Sequence, residues 1–487
     1  MTKSIVFRLS AWMFVLLLSA APALADVKTP SLFGDNMVLQ RGQAVPVWGT
    51  AEKGEKVTVT FGDQEKSATA GDDGKWQVKL DALEASAEPR ELTVSGNNKL
   101  TFNNVVVGEV WICSGQSNME WTVNGALQPD VERKAADYPM IRHIKVPHTP
   151  SDKPLDNFNG KWDLCSEQTV GNFTAVGYYF GRELHNELEV PVGLINSSWG
   201  GTRIEPWTPL IGFEQIKDDA DFAAGIIEKI VNNKLGGGHQ EPTKLYRGMI
   251  HPLVPYAFKG AIWYQGESNG GEGISYYYKK HALVDGWRTA WDQGDFPFYW
   301  VQLANFTNDR RTPEGGDGYA RVRDAERKAL DIENTGMAVI IDIGETRDIH
   351  PKNKQDVGKR LAQWALAKDY GRDVVPSGPL FTKHAVEGKT IRCYFDHVGD
   401  GLMIGKKEGL EPVVKVQDGK LERFAIANED RQWVWADAKI EGDTIVVSSP
   451  DVSKPVAVRY AYSANPLGAN LYNEAGLPAS PFRTDDW

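Results

Sequence analysis

The chain reads as an α/β protein, a parallel sheet covered by helices, with antiparallel β-regions before and after it. Three observations carry this. Between about 105 and 375, apolar strand-like runs alternate with segments of helical periodicity, the pattern of successive βαβ units. On either side, short alternating runs are punctuated by Gly, Asn and Asp turns, as in β-sandwiches. Four polar turns, 114–119, 199–203, 265–269 and 345–350, close apolar runs, and the carboxyl ends of such strands are where a parallel sheet presents its chemistry.

In chain order, residues 1–25 stand apart. Lys3 and Arg8 precede the apolar run Leu9 to Leu18, and Ala23-Leu24-Ala25 supplies a small-x-small cleavage site. This is the pattern of a secretory signal peptide, with the mature chain starting near Asp26. The run is too short for a membrane span, and no second one of spanning length follows. The expectation is an exported protein, periplasmic or extracellular, with no membrane association after cleavage. Loss of Lys3 and Arg8 takes the formal charge from −11 to −13. So acidic a chain is a poor partner for nucleic acid or anionic lipid.

About 460 residues then remain, more than one typical core holds. The expected division is an N-terminal β-sandwich over 26–104, an α/β domain over 105–375 and a β-rich region over 376–487. In the first, KVTVTF (56–61) and WQVKL (76–80) alternate around the turn Asp72-Asp73-Gly74-Lys75, and ELTVSG (91–96) follows. The second opens on VVVGEVWIC (105–113), the continuous apolar run of a strand buried on both faces. Thr174 is placed to cap a helix from Ala175 to Leu188. Strands are expected at 190–198, 259–269, 296–304 and 337–344, and helices at 218–234, 275–291, 320–332 and 356–370. The third region carries strand-like runs at 390–395, 443–449 and 454–463.

Three cysteines, Cys113, Cys165 and Cys393, make no disulfide scaffold. A Cys113–Cys165 bridge and three free buried thiols are both open. No CxxC or HExxH spacing occurs, so no metal site is expected.

The four turns together hold the components of an acyl-transfer site. A serine nucleophile needs a base, an acid to orient that base, and donors for the oxyanion. Ser117 stands in the first turn. The last holds Asp348 and His350, a carboxylate and an imidazole on one loop. The second offers the backbone N–H groups of Gly200 and Gly201, which a substrate can approach because no Cβ intervenes. The third offers the side-chain amides of Gln265 and Asn269.

GQSNM at 115–119, Gly200-Gly201-Thr202, WYQGESN at 263–269 and DIHPKNK at 348–354 together resemble the SGNH-type hydrolases. Within them the chain looks most like the sialate O-acetylesterase family, with relatives among microbial acetylxylan esterases. The resemblance extends through GDFPFYWVQLANF at 294–306 and more loosely into both β-regions. It implies a three-layer hydrolase domain in which Ser117 is the nucleophile and its own N–H joins the oxyanion hole. Gly200 or Gly201 matches the glycine of the second block. The third block departs from the glycine–asparagine order of the pattern, leaving Gln265 or Asn269 as side-chain donor, with Gln265 preferred. His350 matches the general base. Its orienting acid is Asp348 or Glu267, because Asp348 lies two residues before the histidine where the superfamily usually has three. Met119 stands where a G-x-S-x-G elbow has its second glycine, which argues against the α/β-hydrolase class.

Arg203, beside the second block, is placed either to meet a sialate carboxylate bidentately or to pair with Glu205. His251 is expected as a hydrogen-bonded structural histidine. Trp121, Trp199, Trp207 and Trp263 lie near the turns, some to stack on sugar and most to fill the core. The expected function is a secreted serine esterase removing O-acetyl groups from carbohydrates, O-acetylated sialic acids first and acetylxylan or another glycan second, with neither cofactor nor metal. A non-catalytic carbohydrate-binding protein is the alternative, against which Ser117 and His350 both count.

Overall fold

The computed structural model describes residues 26–309 and 311–487, so the signal-peptide reading of 1–25 lies outside the described residues. A seven-strand path forms the central sheet, in the order Thr335–Ala338, Phe298–Val301, Gly260–Tyr264, Lys99–Gly115, Val192–Ser198, Ile141–Lys145 and Trp162–Leu164. All neighbours are parallel except the last pair.

Side chains alternate across this sheet, as the period of two requires. Trp111, Cys113, Ile262, Tyr264, Tyr299 and Val301 face one helical layer. There they meet Val176, Phe180 and Leu184 of helix Ala175–Leu188 and Val357, Leu361 and Trp364 of helix Lys354–Lys368. Val110, Ile112, Ala261, Trp263, Phe298 and Trp300 face the other, with Leu283 and Trp287 of helix Ile274–Trp291 and Val322 and Ala325 of helix Tyr319–Lys328. Both faces are dry, which explains why these strands read as continuous apolar runs. The three-layer α/β domain is thus present.

The central strand is 17 residues long. Its N-terminal stretch pairs antiparallel with Ser86–Ser95, and its C-terminal stretch is parallel to Val192–Ser198 and Gly260–Tyr264. The expected boundary at 104/105 therefore falls inside one strand, and the N-terminal sheet is continuous with the central one. Val57, Val59 and Phe61 of that sheet share a core with Val45, Val47, Trp76, Val78 and Leu80 of the antiparallel pair Val45–Thr50 and Lys75–Leu80. At the other end, residues from 380 onward form further antiparallel sheets. Buried Arg323 joins them to the α/β domain, donating to the carbonyls of Leu303, Ala304, Ser463 and Ala464.

Several expectations shift. The strand expected at 337–344 is Thr335–Ala338. Beyond it Asp342 takes a bidentate bond from Arg360 at 2.6 and 2.7 Å, and Gly344 N–H donates to Asn305, so the chain leaves the ladder. Ile141–Lys145 has no apolar signature to announce it. Arg142 is wholly buried there and donates to the carbonyls of Asn36, Met37 and Asn104. Cys113, Cys165 and Cys393 are all free and buried. Among the described residues no helix is long and apolar enough to cross a membrane.

Candidate active site

The chain builds one side of the sheet and then crosses to the other, since the neighbours of the central strand are the fourth and fifth of the seven strands in chain order. Such a switch point opens a crevice at the carboxyl end of that strand. Ser117 stands there. Gly115, the last residue of the strand, has φ +133°, and a Cβ on it would lie 2.1 Å from the carbonyl oxygen of Tyr264. Only glycine lets the chain turn this close to the neighbouring strand. Ser117 then begins the short helix Ser117–Glu120.

The loop after Thr335–Ala338 brings in the imidazole. His350 Nε2 is 2.9 Å from Ser117 Oγ. Its Nδ1 is 3.4 Å from Asp348 Oδ1, and the same oxygen accepts the His350 backbone N–H at 2.9 Å. The indole of Trp121 stacks on the ring at 4.8 Å and 16°. Burial, helped by the Lys354 ammonium and opposed by Asp348, holds His350 below its ordinary value. The imidazole is thus neutral at pH 7, the form a base needs.

Glu267 is placed elsewhere. Its Oε1 accepts from Asn118 Nδ2 at 2.5 Å, and burial raises its carboxyl above the usual range against the pull of Asn118 and Lys354. The acid beside His350 is Asp348, and Glu267 stands behind Asn118.

The amides of the third turn need correction. Gln265 is fully buried. Its Nε2 donates to Asn269 Oδ1, Thr202 O and Gln116 Oε1, and its Oε1 accepts from the Tyr276 hydroxyl. Asn269 Nδ2 donates to Glu205 and Glu272. Both side chains build the loop and neither has an amide N–H left for an oxyanion. Gln116, a motif residue to which the sequence reading assigns no role, has the opposite character. Its Oε1 accepts from Gln265 Nε2 and the N–H groups of Gly266 and Ser268 at 3.2 to 3.5 Å. This fixes the amide's orientation, and Nε2 has no acceptor among the described residues.

Gly200 lies against the nucleophile: a Cβ there would be 3.2 Å from Ser117 Cβ. Its N–H donates to Glu120 Oε2 at 2.9 Å, while Glu120 Oε1 is held by Lys145 and His148 at 3.1 and 2.8 Å. Gly201 has φ +73° and lends its carbonyl to Gln240.

Arg203 is also committed. Its Nη2 pairs with Glu205 at 3.0 Å and with Glu272, and its Nη1 donates to Ser268 O. Lys279 bridges the same two acids at 2.8 and 2.6 Å. Burial pushes Glu205 up, but Lys279 and Arg203 outweigh it and hold the carboxyl at about 2. The two cations and two carboxylates close on each other, and Arg203 is paired with Glu205 and Glu272. His251 bonds the Leu155 carbonyl at 2.9 Å. Trp207 and Trp263 are core residues, and Trp199 is sandwiched between His148 and His239 at 4.3 and 4.5 Å.

A family model described as "Carbohydrate esterase, sialic acid-specific acetylesterase" matches residues 107–367, the span that holds all four turns. Over 93% of the chain it is 29% identical to the sialate O-acetylesterase of Pongo abelii and 28% identical to that of Homo sapiens, covering 91% of each. The solved structure of a carbohydrate acetylesterase from Xanthomonas citri superimposes with a TM-score of 0.84 at 38% identity, over 95% of this chain and all of that one. With a serine and a histidine in contact at the sheet's switch point, the chain belongs to the sialic acid-specific acetylesterase family of carbohydrate esterases and is a carboxylic ester hydrolase.

Proposed function

We propose that the chain is an exported serine esterase that removes O-acetyl groups from carbohydrates through an acetyl-serine intermediate. The observation that carries this is the 2.9 Å contact of Ser117 Oγ with His350 Nε2. His350 takes the Ser117 proton as the oxygen attacks the acetyl carbonyl. The imidazolium, oriented by Asp348, then protonates the departing sugar oxygen. Water repeats the sequence on the acetyl-serine and releases acetate. The developing oxyanion is met by the Ser117 N–H, the Gly200 N–H once substrate displaces Glu120 from it, and Gln116 Nε2, the amide donor of this turn that remains open. Such donors contribute because they are already aimed where charge appears. Export rests on the signal-peptide pattern of residues 1–25.

O-Acetylated sialic acid is the first substrate, the one that the curated relatives' names carry. An observation favours a second: Arg203, the cation expected to meet a sialate carboxylate, is paired with Glu205 and Glu272. A neutral acetylated glycan such as acetylxylan needs no such cation. The test is acetate release by the protein and its Ser117→Ala variant from 4-nitrophenyl acetate, 9-O-acetylated sialic acid and acetylated xylo-oligosaccharide. Serine-dependent release with preference for sialate supports the first substrate, and preference for the xylo-oligosaccharide the second. Release that survives Ser117→Ala, or none from a folded protein, removes the serine-esterase reading.

A further inference from the structure

Asn118 stands where three of the four turns meet. It follows the nucleophile in sequence, and its Nδ2 donates both to Glu267 Oε1 at 2.5 Å and to the carbonyl of Ile349 at 3.0 Å. Ile349 precedes His350. One amide therefore ties the residue after Ser117 to the residue before the base, across 231 residues of chain. The remaining atom of that amide, Oδ1, accepts from Lys354 Nζ.

Lys354 is an unusual donor for this task. It opens helix Lys354–Lys368 and is wholly buried, beneath the rings of Tyr264 and Trp121 at 5.2 and 6.0 Å. Burying an ammonium is costly, and a neutral side chain would have satisfied Asn118 Oδ1. The cost is met to some extent by a sequestered carboxylate: Glu267 Oε2 is sealed from solvent and has no partner among the described residues. Cation and acid thus flank one amide, Lys354 on its oxygen and Glu267 on its nitrogen. Opposite charges on the two ends polarise the amide and forbid its flip. A flipped Asn118 would set its oxygen against both the Glu267 carboxylate and the Ile349 carbonyl, releasing the base loop from the nucleophile turn.

We propose that Lys354 and Glu267 are positioning residues that lock Asn118 as a clamp between the nucleophile turn and the base loop. The clamp rests on Ser117 and His350 acting as nucleophile and base. The charged groups facing Lys354 are Glu267, Asp348 and Glu345. Those facing His350 are Lys354 and Asp348, with the Ser117 hydroxyl and the Trp121 ring completing its surroundings. Burial pushes Lys354 down to about 7, against the pull of Glu267.

Two substitutions separate geometry from charge. Lys354→Met removes both the hydrogen bond and the charge. Lys354→Gln retains a donor for Asn118 and removes only the charge. The readout is kcat, KM and the pH profile of kcat/KM for 4-nitrophenyl acetate, beside the wild type and Ser117→Ala. In Lys354→Met, kcat falls about ten- to a hundred-fold, the scale of a small misplacement of reacting groups, with KM little changed. Lys354→Gln recovers most of kcat. In both, the acid limb moves to higher pH, because a positive charge opposing the imidazolium is gone. A kcat within twofold of wild type in Lys354→Met overturns the clamp while leaving the serine mechanism intact. Wild-type turnover that does not depend on Ser117 overturns the clamp together with the reading beneath it. Should Lys354→Met fail to fold, Asn118→Asp decides: it keeps an oxygen for Lys354 and loses the Nδ2 donor to Glu267 and Ile349, and a kcat within twofold of wild type there overturns the proposal.

Discussion

Ser117 Oγ and His350 Nε2 meet at 2.9 Å although they stand 233 positions apart in sequence. Neither is on a long regular element. One begins a four-residue helix and the other sits in a loop. What holds them is the rest of the domain: Gly115 packed on the Tyr264 backbone, Thr174 Oγ1 donating to the carbonyl of Met119 at 2.5 Å, and Trp121 stacked on the imidazole. The contact is a property of the sheet's switch point and the loops around it.

Removing either partner therefore removes the reaction and leaves the fold. Ser117→Ala and His350→Ala are each expected to lower kcat on 4-nitrophenyl acetate by about 10⁶-fold, the scale set by loss of a serine nucleophile or its base elsewhere. Circular dichroism and thermal unfolding should match the wild type. Turnover within ten-fold of wild type in either folded variant assigns the chemistry to other residues.

Asp348 is coupled to the base less tightly than in a close triad. Its 3.4 Å approach to Nδ1 exceeds a normal hydrogen bond, and its side chain is 38% exposed. Asp348→Asn is thus expected to cost about 10- to 100-fold in kcat, short of the roughly 10⁴-fold loss for a buried triad aspartate. The pH profile gives the sign. His350 lies below its ordinary value in the wild type, so the acid limb of kcat/KM lies below that of an ordinary histidine. Asp348 favours the imidazolium, and its removal moves that limb lower still, opposite in direction to loss of Lys354. An upward shift in Asp348→Asn contradicts the pairing.

How much of this was legible in the sequence varies by element. Helix Ala175–Leu188 and its Thr174 cap appear where periodicity and capping chemistry place them, with the Thr174 side chain accepting from Gly177 N–H. KVTVTF is the strand Lys56–Phe61. The four turns converge because every one follows a parallel strand. Strand Ile141–Lys145 escaped because its burial depends on backbone carbonyls 100 or so residues away that satisfy Arg142, and no local pattern encodes them. The donors near Ser117 escaped for a related reason. Gln265 and Gln116 are the same residue type in neighbouring turns, and only the Tyr276 hydroxyl and the Thr202 carbonyl reveal that Gln265 faces inward. Lys354 lay in view within DIHPKNK, but its burial comes from Trp121 and Tyr264 on other elements.

Gln116 can be tested without dismantling the turn. Gln116→Glu preserves an oxygen for Gln265 Nε2 and the N–H groups of Gly266 and Ser268, while replacing the open Nε2 donor with a second oxygen. Loss of one oxyanion donor is expected to lower kcat by about 10²- to 10³-fold, with KM changed far less. A kcat within threefold of wild type would mean that the oxyanion is met by backbone N–H groups alone.

Gly115 offers the sharpest test of how the strand end shapes the site, because its requirement has two separable components, conformation and space. Its φ of +133° is unfavourable for any residue with a side chain, and its missing Cβ leaves room for the Tyr264 carbonyl, 2.1 Å from where that atom would stand. Gly54 shares only the conformational component, with φ +80° and nothing within 4 Å of its Cβ position. Gly54→Ala is expected to cost about 1 kcal/mol of stability, the lower end for a strained left-handed residue, with activity unchanged. Gly115→Ala must also push apart a pair of hydrogen-bonded strands. Tyr264 cannot retreat easily, since its carbonyl accepts the Gln116 N–H at 2.9 Å. The expected cost is about 3 kcal/mol or more, from backbone strain and overpacking together. The displaced turn carries Ser117 with it, so kcat should fall on the order of 10²-fold in whatever fraction folds. Denaturant unfolding and active-site-titrated kcat measure the two effects separately. If Gly115→Ala is no less stable than Gly54→Ala and retains full turnover per titrated site, the close packing of the nucleophile turn against Tyr264 does not govern the position of Ser117.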